Sequence, residues 1–499
     1  MYPELLKLDI LETQHPEYVD SLEALGEIEL LTSGGYKLKK RIKEFLPKRP
    51  TETEEVYELR LKKFTYLNIM SYAINEQVNK LNNSTLSISG IEGKHGDFWN
   101  TFRENTNLAG RSEKSLISHI FREILKFKKI FLHVDKPVSP IKPNNKLQEE
   151  KLGIRPYVVT YSPLQVINWS ESKGKLAWVK IKQIIEDTSN PLVAPVKKAL
   201  WTIIDSKFIA KYEAEVEIGK DGQISKVNGD LVNEDTQIPI HSLIEHGLGV
   251  IPILKVELPA EMWVADQVSS KALEHLRTDC SKYDLLTLSY FQRTFKRVQK
   301  PDNDLNNTFE DDEDVNNIDT GLQHVLNLEK FEWSEPQGHI IPHMIDTLRQ
   351  IESQIRDLVG LGGLSAEKGI VQQSGESKKL DLYKQEAALR AYGELLINAY
   401  QDLLQLVAKS AGVVGDNLSV TGFSTFENDT VESLISKIGD LSSLDIEGLK
   451  AKLPPSAFRS IYTQLIVNLM GNPSAEEQEI IHLEIDNMLT NSVPLDTAH

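Results

Sequence analysis

The chain has 499 residues, a formal net charge of −17 at pH 7, 40% hydrophobic and 26% charged residues, and a single cysteine. These values fit a soluble globular protein and exclude several alternatives. No run approaches the ~18 apolar residues that a membrane span needs, and Cys280 alone supports neither a disulfide framework nor a cysteine-rich zinc site. The acidic balance argues against tight nonspecific binding of nucleic acid, which needs lysines and arginines on phosphates. A chain this long exceeds one ordinary core, so about two to four modules are expected. Met1-Tyr2-Pro3-Glu4 lacks the basic, apolar pattern of a signal peptide, so the protein is expected to stay in the cytosol of the cell that makes it.

The first hundred residues read as mostly helical. His15-Pro16-Glu17-Tyr18 opens a helix with Leu22, Leu25, Ile28 and Leu31 on one face, ended by Ser33-Gly34-Gly35. After Pro47-Lys48-Arg49-Pro50, Thr51-Glu52-Thr53-Glu54 is a helix start leading into Tyr57, Leu61, Phe64, Leu67, Ile69 and Met70. Alternation at Leu86 and Ile88 marks a strand, and Ser112 is a candidate N-cap for an amphipathic helix through Leu116, Ile120, Ile124 and Phe127.

From about residue 129 to 249 the signal turns to strands. The runs are Ile130–Val134, Pro156–Tyr161, Val166–Trp169, Leu176–Ile181, Ala199–Ile204 and Phe208–Ala214, punctuated by turn clusters at Glu171-Ser172-Lys173-Gly174 and Gly219-Lys220-Asp221-Gly222. The pattern predicts an antiparallel sheet in a mixed α+β module. Helix returns from about Asp266 to Phe291. The segment Asp302 to Asp319 then holds eight carboxylates and no basic residue, the composition of a solvated loop or a docking surface.

The C-terminal third organises the chain. Met344, Leu348, Ile351, Ile355 and Leu358 keep helical spacing, Gly360-Leu361-Gly362-Gly363 breaks the helix, and a polar loop follows. From Ser377 an apolar stripe runs to Gly412, a rod of roughly 50 Å at about 1.5 Å per residue. A strand at Leu418–Phe423 and a helical C-terminus with breaks at Pro454-Pro455 and Gly471-Asn472-Pro473 complete the order.

Catalytic signals are weak. His339 and His343 lie one helical turn apart, but Pro342 spoils a paired-ligand geometry, and His241 and His246 flank a predicted turn without a cysteine partner. No glycine–lysine phosphate loop is present, and no nucleophile sits beside a base.

The order of these pieces resembles the portal proteins of tailed bacteriophages. Pro156-Tyr157-Val158-Val159 with Ser162-Pro163-Leu164-Gln165-Val166-Ile167-Asn168-Trp169 looks like a portal wing segment. Gly249-Val250-Ile251-Pro252 is similar to the lead-in to the first stem helix, and Ser374-Gly375-Glu376-Ser377 to the entry of the long helix. The resemblance implies an α+β, mainly helical portal fold with wing, stem, clip and crown-like regions. Residues 1–263 would be the wing, 264–291 and 341–359 the two stem helices, 292–340 the clip and 360–376 the tunnel loop. The long wing helix and strand would occupy 377–429, and the crown-like C-terminus 430–499.

It further implies a non-enzymatic ring of about twelve subunits at one capsid vertex, assembled in the host cytoplasm. The ring is the channel for packaging and ejection of double-stranded DNA and docks the terminase motor, the neck/tail adaptor and the major capsid protein. The resemblance calls for no cofactor, metal or membrane. Lys368, Gln372, Gln373 and Ser374 would face DNA from the tunnel loop, and Glu310, Asp311, Asp312, Glu313 and Asp314 would form an electrostatic docking surface. Two alternatives are a head–tail adaptor or helical scaffold without a pore, and a hydrolase. The hydrolase needs a clustered acid–base set in the strand-rich module, where the titratable residues are scattered.

Overall fold

The computed structural model describes residues 2–50, 52–84, 86–91, 95–137, 153–219, 222–291, 294–296, 330–332, 340–359, 375–413, 418–423, 459, 463, 480–485 and 487. The chain opens with β1 (Leu5–Lys7), α1 (Leu8–Leu11), α2 (Pro16–Ser33), α3 (Gly35–Lys40), α4 (Ile42–Phe45), α5 (Glu54–Lys62) and α6 (Ile69–Asn82). Then come β2 (Leu86–Ser89), α7 (Gly96–Glu104), α8 (Glu113–Phe127), β3 (Lys129–Asp135), β4 (Tyr157–Tyr161), β5 (Val166–Ser172), β6 (Lys175–Asp187), β7 (Val196–Ile204) and β8 (Phe208–Ile218). The strand-rich part ends with β9 (Ile224–Val227), β10 (Asp230–Leu231), β11 (Gln237–Glu245) and β12 (Ile253–Glu257). The rest comprises α9 (Val264–Phe291), β13 (Thr294–Lys296), β14 (Lys330–Glu332), α10 (Ile340–Leu358), α11 (Gly375–Ala411) and β15 (Ser419–Gly422).

The protein is thus α+β, and its strand pairs are antiparallel among the described residues. It divides into two compact units, each assembled from separated stretches: Met1–Val19, Asn75–Pro259 and Ser374–His499 form one, Asp20–Ile74 and Ala260–Gln373 the other.

In the first unit an 8-stranded sheet runs in the order β1-β11-β8-β7-β6-β5, with β9 and β10 continuing from β8. Its strands alternate as a half-buried sheet must: along β8, Ala210, Tyr212, Ala214 and Val216 are buried while Glu215 and Glu217 are exposed. A second sheet, β12-β3-β4, behaves differently. Residues 130–134 of β3 are all buried because α8 and α11 pack against this strand and Phe131 meets the Trp169 ring of β5. β15 pairs with β2 as a separate ribbon.

The N-terminal segment is strapped onto the large sheet. β1 pairs with β11, Leu8 and Leu11 enter the core, and Glu12 accepts from Trp201 Nε1 at 2.8 Å and meets Lys182 Nζ at 2.6 Å. Lys180 Nζ donates to Ile10 O and Thr13 Oγ1, both at 2.6 Å, and His15 stacks on Trp169 with ring centroids 4.0 Å apart.

Several boundaries differ from the sequence reading. The run expected to continue through Phe64 and Leu67 is interrupted between α5 and α6. Thr65 Oγ1 donates instead to Asp279 Oδ2 at 2.7 Å, and Asn68 Oδ1 accepts from Ser71 N at 2.9 Å, a cap that restarts the helix. His241 lies within β11 and not at a turn, and His246 follows that strand with Nε2 3.0 Å from Asp205 O.

Candidate functional site

The described helices of the second unit that border the segments carrying the sequence-predicted site residues are α9 and α10. α10 turns Leu348, Ile351 and Ile355 inward, and α9 turns Val268, Ala272, Leu276 and Cys280 inward, the i, i+4 spacing of an apolar stripe. The two helices pack along each other, and His275 Nε2 lies 3.4 Å from Glu352 Oε1 across the pair. Between α9 and α10 the chain passes through β13 and β14, which pair from Thr294↔Glu332 to Lys296↔Lys330.

A polar collar ties α9 to the N-terminal helices of the same unit. Arg277 Nε donates to Phe45 O at 3.0 Å, Arg49 Nη2 meets Asp284 Oδ2 at 3.1 Å, and Asp279 accepts from Thr65 and pairs with Lys282 at 2.6 Å. Those donors hold the Asp279 carboxyl below its ordinary range although burial pushes the other way. Beneath them Arg60 forms a fork with Glu52, Nε to Oε1 and Nη2 to Oε2 both at 2.8 Å. The guanidinium depresses Glu52 to about 2. Sequence reasoning missed this collar. Its signals were Arg60 eight residues after Glu52 and the Pro47–Pro50 segment just before it, whose Pro47 O accepts from Arg60 Nη2 at 2.9 Å.

The outward faces carry Asp266, Gln267, Ser270 and Glu274 on α9, and His343, Thr347, Arg349, Gln350 and Gln354 on α10. Such a surface offers mixed charge. Among the described residues no set of three or more His, Cys, Asp or Glu is arranged to hold a metal, and no helix is long and apolar enough to cross a membrane. A groove of about 420 Å³ on the large sheet is lined by Ile185, Asp187, Ser189, Lys198 and Glu213. Lys198 lies 3.0 Å from Asp187 and 3.5 Å from Glu213, and Glu186 also lines the groove.

Lys368, Gln372, Gln373 and Ser374 lie outside the described residues, as do Glu310, Asp311, Asp312, Glu313, Asp314 and His339. Most of 430–499 lies outside them too. α9 spans Val264–Phe291 and α10 Ile340–Leu358, where the sequence pattern predicts helices.

No protein-family model matches the chain, and no curated protein matches it. The solved structures that resemble it include two from gene transfer agent particles. One is a chain of the virion of a native gene transfer agent particle, 10% identical with a TM-score of 0.32 over 84% of this chain and 93% of that one. The other is a chain from the neck of an empty gene transfer agent particle computed with C6 symmetry, 10% identical with a TM-score of 0.33 over 80% and 90%.

Proposed function

We propose that the chain is a portal protein, a subunit of a ring of about twelve copies at one vertex of a phage-like capsid. In this reading DNA passes through the ring, and the terminase motor, the neck/tail adaptor and the major capsid protein dock on it. The observation that carries the reading is the order of elements: a long helix, a small β-hairpin flanking an acidic insertion, a second helix, a glycine-bounded polar loop and then a helix of 37 residues. The collar of hydrogen bonds and ion pairs that braces α9 supports a mechanical role.

The mechanism follows from charge. A ring multiplies each subunit's net charge of −17, so a channel through it repels phosphate and lets duplex slide instead of binding. Lys368, with Gln372, Gln373 and Ser374, supplies the transient polar contacts that retain DNA. Deleting residues 362–374 leaves the ring intact and impairs packaging or retention; unaltered packaging overturns that assignment.

Light scattering followed by negative-stain imaging tests the reading as a whole. Annular particles of about twelve subunits with a central hole are expected. A chain that stays monomeric even when co-expressed with capsid components overturns it in favour of an adaptor or scaffold.

A further inference from the structure

Among the described residues the large sheet has two open edges, and they lie opposite each other at one level along the strands. On one side β5 stops pairing with β6 at Val166↔Ile181, so from Gln183 to Asp187 β6 has β7 on one flank and no described strand on the other. Lys182 N donates to Gln165 O at 2.8 Å, and backbone groups alternate along a strand, so Ile184 and Glu186 turn their N–H and C=O to this open flank. On the other side β1 pairs with β11 alone. Glu4 O accepts from Ile240 N at 2.8 Å and Leu8 N donates to Thr236 O at 2.9 Å, so Leu5 turns its N–H and C=O outward, and Lys7 its N–H.

The strand registers put the two edges on one row. Leu6 lies opposite Ile238, Ala214 opposite Ala199 and Ala199 opposite Ile184, and Ile240↔Tyr212 carried on by two residues sets Ile238 beside Ala214. Leu6 and Ile184 therefore end the same cross-strand row, and the antiparallel steps between them leave β1 and β6 running in the same direction. The next row ends in Lys7 and Ile185, on the opposite face of the sheet. Leu5 is 56% exposed, Ile184 41% and Ile185 47%, large apolar side chains left at strand edges.

We propose that β1 of one copy joins β6 of the next, so that the large sheet continues from copy to copy. This rests on the ring reading, since a contact between two different edges is head-to-tail, the kind that closes into a ring. With Leu6 level with Ile184, Ile184 N–H meets Leu5 C=O and Lys7 N–H meets Ile184 C=O, the slanted pattern of a parallel ladder. The apolar row then runs through the junction on one face. On the other face Lys7 of the next copy arrives beside Ile185, at the groove where Glu186, Asp187 and Glu213 outnumber Lys198. Within its own copy Lys7 meets Asp235 at 3.2 Å, and that carboxylate is 91% exposed, so the pair is screened by water and holds Lys7 weakly.

K7C/I185C tests the contact. Within one copy the two positions stand four strand spacings of about 4.8 Å apart, too far for a disulfide, whose Cα atoms lie within about 7 Å. Oxidation of assembled rings should therefore link neighbouring copies and give a ladder of multiples on a denaturing gel, with K7C or I185C alone giving none. Annular particles without the ladder, or with a ladder from either single variant, overturn this contact and leave the ring reading standing. Chains that stay monomeric when co-expressed with capsid components overturn both. I185K, at an exposed position, sets a cation against the incoming Lys7 and should weaken association tenfold or more while the urea midpoint of the monomer is kept. Adding K7E should restore association. Undiminished assembly of I185K, or no restoration by K7E, overturns the contact.

Discussion

Gly393 shows how one residue governs the seating of the long helix. A Cβ at this position would lie 2.7 Å from Phe423 Cβ and 3.5 Å from Phe423 O, and Phe423 already holds a φ of 50°. Gly393→Ala should therefore destabilise the chain by about 1–3 kcal/mol, measured by urea unfolding. Phe423→Gly removes the offending atom and suits the positive φ, so in that background the cost of Gly393→Ala should nearly vanish. In the sequence Gly393 lies within the apolar stripe that runs from Ser377 to Gly412, and nothing there names the partner thirty residues on. Glu113 is comparable: it accepts from buried Tyr400, which burial and this carboxylate hold well above the ordinary phenol range, and it pairs with Arg103. Glu113→Ala leaves both partners unanswered and should cost about 2–4 kcal/mol, while Glu113→Gln, which keeps an acceptor for Tyr400, should cost less. Equal losses in the two variants would place the stabilisation in packing instead.

Strands and helices were legible to different degrees, and the reason lies in their surroundings. β3 to β8 were readable because β-branched and aromatic residues are concentrated between turn clusters, and α8 because Ser112 caps an amphipathic stripe. β1 and α1 were not, since Leu5–Leu11 becomes ordered only by pairing with β11 and burying Leu8 and Leu11 against a sheet distant in sequence. The strap should therefore be sensitive to its apolar anchor: Leu11→Ala, at a fully buried site, is expected to cost about 2–5 kcal/mol in urea unfolding. β3 carries a further sensitivity. His133 is buried with both ring nitrogens unpartnered, and burial lowers its pKa to about 4, opposed by Asp135 and reinforced by Lys211 and His246. A folded-state pKa below the ordinary 6.5 means that the fold takes up this proton less readily than the unfolded chain does. Stability is then complete above about pH 6.5 and falls as pH drops toward 4, by on the order of 3 kcal/mol for the one group. His133→Phe keeps the stack on Tyr161. It should raise stability at pH 7 and flatten the decline between pH 6.5 and 4.5; an unchanged slope would move that decline to His119, which is lowered in the same way.

At the scale of the whole molecule, charge is the property that composition revealed and local structure modifies. The collar on α9 is invisible to composition, because Thr65–Asp279, Arg49–Asp284 and Arg277–Phe45 join residues across distances in sequence that no periodicity encodes. The acidic run from Asp302 to Asp319 is the opposite case, a feature that sequence alone brings out. Within the portal proposal, Glu310, Asp311, Asp312, Glu313 and Asp314 repeat around a ring and create a concentrated negative field facing whatever docks there. Such a field acts on encounter more than on the lifetime of the complex, since exposed charges steer approach and are screened beyond about 10 Å at 0.1 M salt. Replacing the five residues by Gln and Asn should leave assembly unchanged and slow association with a basic docking partner by about tenfold or more at low salt, with little effect on dissociation. Stopped-flow association at several salt concentrations reads this directly. The substituted ring should lose most of the salt dependence of the on-rate, whereas a change confined to dissociation would mean that these carboxylates make close contacts in the complex and do not act through their field.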